Sequence, residues 1–187
     1  MAPKVRVSKE DIVRAAVELL RSGGEDMLNA RSIAAMIGCS TQPIFSNFSN
    51  MEELRGEVIK AAEDVYRGFI AEEMATGEFP PYKASGMAYI RFAKEERELF
   101  RLLFMRRRTQ EEMRNDDSAL TADVMKMIHE ATSLDGRQAS LLHLEVWTFV
   151  HGIAVMVATE YFEPERELVS HMLTDAYQGF KSRLEEV

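Results

Sequence analysis

Between Ser40 and Asn47 the chain carries Thr41, Gln42 and Ser46 within two helical turns of one another. A glutamine carboxamide can bond an adenine edge through both its donor and its acceptor, and a threonine methyl can rest on a thymine methyl. These three residues are therefore candidates for reading base pairs in the major groove of double-stranded DNA. Ser40, Asn47 and Arg31 flank them, and a basic arm of Lys4, Arg6 and Lys9 precedes them. Groups of this kind hold phosphates and set register without reading sequence. Catalytic chemistry finds no comparable constellation. The histidines His129, His143, His151 and His171 form no HExxH pair, the single cysteine Cys39 forms no CxxC, and neither a glycine-rich phosphate loop nor a nucleophile elbow occurs. A protein that is not an enzyme is expected, with no metal and no cofactor.

Presenting side chains to a groove takes a short helix held firmly by its other side. Apolar spacing of three and four residues runs through the chain, and no sustained alternation of apolar and polar residues suggests strands, so the fold class is all-α. Ser8 can cap a first helix, with Asp11 at the capping-box position. Ile12, Ala15, Ala16, Leu19 and Leu20 form its buried face, and Gly23-Gly24 stops it. Asn29 can cap a second helix that carries Ile33, Ala34 and Ile37 and ends at Gly38. Ser40 can cap a third, from Thr41 to about Asn47, with Pro43 in its first turn, where a missing N–H is harmless. The tight turn between the second and third makes a helix-turn-helix. Ala34, Ala35 and Gly38 let the pair close, with Ile33, Ile37, Ile44 and Phe48 packing beneath.

Asn50, followed by Glu52 and Glu53, opens a long linking helix that continues to about Met74. Gly77 and Pro80-Pro81 break the chain, and helices follow at roughly 82–94, 96–106, 118–132, 136–161 and 165–185, about nine in all. The expected organisation is a helix-turn-helix DNA-binding domain over 1–50, a linking helix over about 50–75, and a C-terminal helical bundle over 76–187.

With 187 residues, 46% hydrophobic and 29% charged, the composition is globular and excludes a disordered or low-complexity chain. One cysteine cannot build a disulfide framework, and the N-terminal MAPKVRVSKE lacks the apolar run of a secretory signal. The longest apolar stretch, Val146 to Ala158, is interrupted by Thr148, His151 and Gly152, short of the roughly eighteen apolar residues of a membrane span. A cytoplasmic protein without a membrane partner is expected. The net charge of -8 looks unfavourable for DNA, but eight basic and eight acidic side chains balance over residues 1–60. The acidic excess therefore belongs to the body, and the groove-facing module is neutral.

The segments DIVRAAVELL, ARSIAAMIGCS and IFSNFSNMEEL, in that order and spacing, resemble the DNA-binding domain of the TetR family of transcriptional regulators over residues 8–59. The stretch from Glu145 to Thr159, with Trp147, His151 and Gly152, is similar to a Trp-His-Gly signature in the C-terminal domains of some TetR-like proteins. The resemblance implies a ligand-responsive repressor that acts as a homodimer on a palindromic operator and binds an unknown small-molecule effector in its C-terminal body. Candidate pocket residues are Tyr89, Phe100, Phe104, Met125, Trp147 and His151, aromatic and thioether groups that suit a lipophilic ligand and equally suit core packing. The last two helices carry apolar positions such as Leu141, Leu144, Leu168, Met172 and Phe180, enough for an internal face and a dimer face. Twofold symmetry would set two recognition helices about 34–36 Å apart. Three positions depart from the family pattern, since Phe45 stands where Tyr is common, Asn47 near where His or Tyr is common, and Met51 where Lys is common, and two likely phosphate contacts are missing. Losing two phosphate contacts lowers affinity for every sequence without changing the sequence read. The alternative reading is a helical adaptor or ligand-binding protein that has lost DNA binding.

Overall fold

The computed structural model describes residues 7–107 and 119–185. Among them are nine α-helices and no strand: α1 (Lys9–Gly23), α2 (Ala30–Ile37), α3 (Gln42–Asn47), α4 (Met51–Ala75), α5 (Pro81–Glu95), α6 (Arg97–Phe100), α7 (Ala119–Ala131), α8 (Gly136–Ala158) and α9 (Arg166–Glu185). A 3-10 turn at Glu25–Met27 follows α1, and a π-helical turn, Arg101–Met105, continues α6. The chain divides into two compact units. The first takes the chain up to Arg67 together with Glu96–Arg106, and the second takes Gly68–Glu95 and the chain from Arg107 onward.

Helix starts in the first unit follow the capping residues. The Ser8 hydroxyl accepts from the Asp11 N–H at 3.1 Å, and the Asp11 carboxylate accepts from the Ser8 N–H at 3.2 Å, so aspartate completes the reciprocal box in place of glutamate. Asn29 accepts from the Ser32 N–H at 3.0 Å, and Asn50 from the Glu53 N–H at 2.9 Å. Gly38 ends α2 in the left-handed region, φ 78°, which a residue with a Cβ reaches only with strain. Ser40 does not cap α3. Thr41 holds the N-cap position without a side-chain bond. The reason lies in the acceptable donors: Pro43 has no N–H, and the Ile44 N–H already reaches the Thr41 carbonyl at 3.1 Å.

Packing then fixes α3 by one side. α1 packs on both α2 and α3, and Ile12, Ala16, Ile33, Ile44 and Phe48 are all buried. Burial of Ile44 and Phe48 contributes roughly 1.5–3 kcal/mol each, enough to hold a six-residue helix that has no stability of its own. Ala35 is exposed and Ile37 half-buried, so closure of the α2–α3 pair relies on Ala34. The α6 segment joins this unit because it packs on α1, where Arg21 donates to both carboxylate oxygens of Glu96 at 2.6 and 2.9 Å.

In the second unit α5 packs against α7, α8 and α9, and α8 packs against α7 and α9. Ala84, Ala88 and Ala93 on α5 are fully buried and keep the helix axes close, while Met87, Tyr89, Ile90 and Phe92 fill the space between them. By length and hydropathy α8 could cross a membrane, with a mean hydropathy of 1.6 over its most apolar window. Of that window 39% is buried, including Leu142, Val146, Val150, Ile153 and Val157, while Leu141, Leu144 and Trp147 of the same helix are exposed. Glu73, only 3% exposed at the end of α4, is held by Arg166 of α9 at 2.5 Å. Leaving a buried carboxylate without such a partner is costly.

Candidate nucleic-acid interface

α3 presents two opposed sides. Ile44 is fully buried, and a 100° step per residue puts Gln42, Phe45 and Ser46 on the outer arc, where all three are exposed. The Gln42 carboxamide makes no hydrogen bond among the described residues, so both its donor and its acceptor are open. The Ser46 hydroxyl donates to the Gln42 carbonyl at 2.9 Å, which leaves it only acceptor capacity. Thr41 is half-buried at the helix start.

The expected phosphate-holding groups separate into three kinds. Arg31, exposed on the first turn of α2, has no ion-pair partner, alone in this respect among the described cations up to Lys60. Arg14 pairs with Asp11, Arg21 with Glu18 and Glu96, Arg55 with Glu25, and Lys60 with Glu57. Lys9 is engaged otherwise than expected. Its ammonium donates to Glu53 at 3.2 Å and lies 4.9 Å above the Phe48 ring, tying α1 to the start of α4. The Glu53 carboxylate also accepts from the Ser49 N–H and hydroxyl, each at 2.7 Å, and these bonds together hold its pKa down to about 2.

Asn47 is engaged within the protein in this structure. Its carboxamide donates to the Pro43 carbonyl at 2.8 Å and to the Val7 carbonyl at 3.3 Å, so both N–H groups are engaged and only an oxygen is left, which phosphate repels. Ser40 is exposed, but the α3 start offers few backbone donors, because Pro43 has none and the Ile44 and Phe45 N–H groups both reach the Thr41 carbonyl. Lys4 and Arg6 lie outside the described residues. Side-chain pairing of this kind is invisible in the sequence, since Asn47 and Val7 are 40 positions apart.

The expected effector residues fall in both units and are described unit by unit. In the second unit the Tyr89 hydroxyl lies 2.8 Å from His151 Nδ1, and Trp147 stacks on the same imidazole with ring centroids 5.0 Å apart. Trp147 is nevertheless 41% exposed, on the same helical side as Leu144 at 56%. Phe100 and Phe104 belong to the first unit, where Phe104 meets Tyr66 edge-on at 5.4 Å. Phe100 is fully buried within that unit and its ring lies 5.3 Å from that of Phe104. Met125 is half-buried on α7.

A second pair escaped the sequence reading. The Tyr82 hydroxyl lies 3.2 Å from His143 Nδ1, again bridging α5 and α8. Its only sequence signal is the near-equal spacing of Tyr82 to Tyr89 and of His143 to His151. Burial lowers the pKa of both imidazoles. Also in the second unit, a surface cleft of about 400 Å³ is bounded by Glu78, Phe79, Glu165, Arg166, Glu167, Ser170 and His171 and contains none of the expected pocket residues. Among the described residues no group of three His, Cys, Asp or Glu side chains is arranged to hold a metal.

Residues 82–176 match the family model for the tetracyclin repressor-like C-terminal domain. The fold is similar to that of a TetR-like transcriptional regulator from Rhodococcus sp. RHA1, with a TM-score of 0.68 at 16% identity over 95% of this chain and 97% of that one. It is also similar to a TetR family member from Streptomyces coelicolor A3, with a TM-score of 0.60 at 16% identity over 90% and 96%. A comparison with curated protein sequences gives no match. The family model spans more than half of the 187 residues, and the chain belongs to the TetR family of transcriptional regulators.

Proposed function

We propose that this TetR-family regulator is a ligand-responsive repressor that binds a palindromic operator in double-stranded DNA as a homodimer, in the cytoplasm and without catalysing a reaction. The observation that carries this reading is the outer side of α3. There Gln42 keeps a fully open carboxamide on a helix anchored from behind by Ile44 and Phe48. Thr41 and Ser46 flank it as further base contacts, and Arg31, with Ser40 and the arm of Lys4 and Arg6, supplies phosphate contacts. Lys9 joins them if phosphate displaces Glu53 from its exposed pair.

The exposure of Leu141, Leu144, Trp147 and Leu168 on α8 and α9 supports a dimer face there. Trp147 is assigned to that face. Tyr89, His151 and Met125 in the second unit remain the effector-contacting candidates. A ligand acts as inducer by binding better to a form of the dimer that does not fit the operator. The alternative, an adaptor without DNA binding, draws on one observation: most cations of the first unit are already paired within the protein.

Selection of genomic fragments by the purified protein, followed by a mobility-shift titration at two salt concentrations, separates the two readings. An enriched palindrome whose binding weakens as salt rises supports the repressor. No enriched fragment supports the adaptor.

A further inference from the structure

Phe45 is 53% exposed in the middle of α3, and nothing in folding explains it. Phenylalanine is only a middling helix former, and about half of its surface here is left in water, so the position gains little from propensity or burial. A lone exposed apolar residue elsewhere on the surface would need no account. Phe45, however, is three residues from Gln42 and one from Ser46, on the outer arc of a helix whose inner side is complete. Of the three outer side chains, Gln42 has open polar groups, Ser46 has its hydrogen turned back to the Gln42 carbonyl, and Phe45 has no polar group at all. A flat hydrocarbon edge beside a carboxamide matches the major-groove face of A·T pairs, where adenine offers N6 and N7 and thymine offers its C5 methyl.

The geometry points to Phe45 as a base-reading residue that recognises a thymine methyl next to the base pair contacted by Gln42. This rests on α3 being the recognition helix. It assigns Phe45 to sequence discrimination, in place of the phosphate contact whose loss the hydroxyl-free ring suggests.

The test uses the full-length protein and the fragment it selects. Each thymine of the half-sites is replaced in turn by deoxyuridine, which removes one methyl group and leaves every hydrogen bond in place. The expected result is a single thymine position per half-site at which Kd rises about fourfold, the equivalent of one buried carbon group. Phe45→Ala should bind the thymine operator at least that much more weakly and bind the thymine and uracil forms equally. Because the ring is exposed, the thermal midpoint of that variant should stay near the parent's. Indifference of the parent protein to every replacement overturns the assignment while leaving the regulator intact. Methyl sensitivity that persists in Phe45→Ala also overturns it, since another residue then reads that position. Failure to select any fragment instead removes the DNA-binding reading itself, and the assignment with it.

Discussion

In the first unit, polar side chains bond mostly to near neighbours in sequence. Ser8 pairs with Asp11, Asn29 with Ser32, Asn50 and Ser49 with Glu53, and Arg14 with Asp11. In the second unit the notable pairs bridge 61, 62 and 93 residues: Tyr82 with His143, Tyr89 with His151, and Glu73 with Arg166. The difference separates two tasks. Local bonds decide where helices begin, and most lie in water, where each contributes little. Long-range bonds decide which helices lie together, and they sit at half-buried or buried positions, where leaving one partner alone is costly.

The contrast breaks most visibly at the exception in the first unit, where α3 depends on apolar anchoring and not on a cap. Phe48→Ala should cost about 3–5 kcal/mol in chemical denaturation, and it should abolish operator binding even where helical content from the second unit persists. A smaller effect is expected at Arg166→Met. Removing the closest cation from a carboxylate that is 3% exposed should destabilise by about 2–3 kcal/mol, whereas Arg14→Met at an exposed local pair should change stability by less than about 0.5 kcal/mol. Equal losses from the two arginine changes would remove the distinction between the units.

Gln42→Ala should cost roughly 1–3 kcal/mol at the selected operator and relax preference at one base pair. Arg31→Ala should weaken all sequences alike and reduce the salt slope by about 1. Competition titrations against scrambled DNA separate these outcomes, and sequence-blind losses from both would end the assignment of Gln42. Ser8→Ala should cost about 1 kcal/mol through loss of the α1 cap, with little effect on base preference.

The gentlest probe is pH. Burial lowers the pKa of His143 and His151, so the folded protein takes up protons at a lower pH than the unfolded chain, whose histidines titrate near 6.5. Their neutral state contributes full stability above about pH 6.5, and that contribution declines as pH falls from there toward the lowered folded values. Denaturation midpoints at pH 7.5 and 5.5 should show this decline in the parent protein. It should be weaker in a His143→Gln, His151→Gln double variant.

Several features were legible because their causes are local. Gly38 must turn the chain after α2, Asp11 can replace glutamate in the α1 box, and the Pro80-Pro81 pair marks the break before α5; each acts within four residues. Site reading was more mixed. Gln42 could be placed on an outer arc from helical period alone, but the engagement of the Asn47 carboxamide with the Val7 and Pro43 carbonyls could not be read from it. Likewise, the packing of α6 on α1 through Arg21 and Glu96, 75 residues apart, has no signal in the sequence.

By itself the sequence determined the all-α class, the order and rough limits of the helices and the place of the helix-turn-helix, because period, caps and breakers act over one or two turns. Tertiary structure decided which polar groups remain available to a partner. It paired Lys9 with Glu53, left Arg31 unpaired, exposed Phe45 and Trp147, and set Tyr82 and Tyr89 against two histidines. Those outcomes depend on which helices meet, and that choice is made by summed burial over the whole chain and not by any short stretch of it.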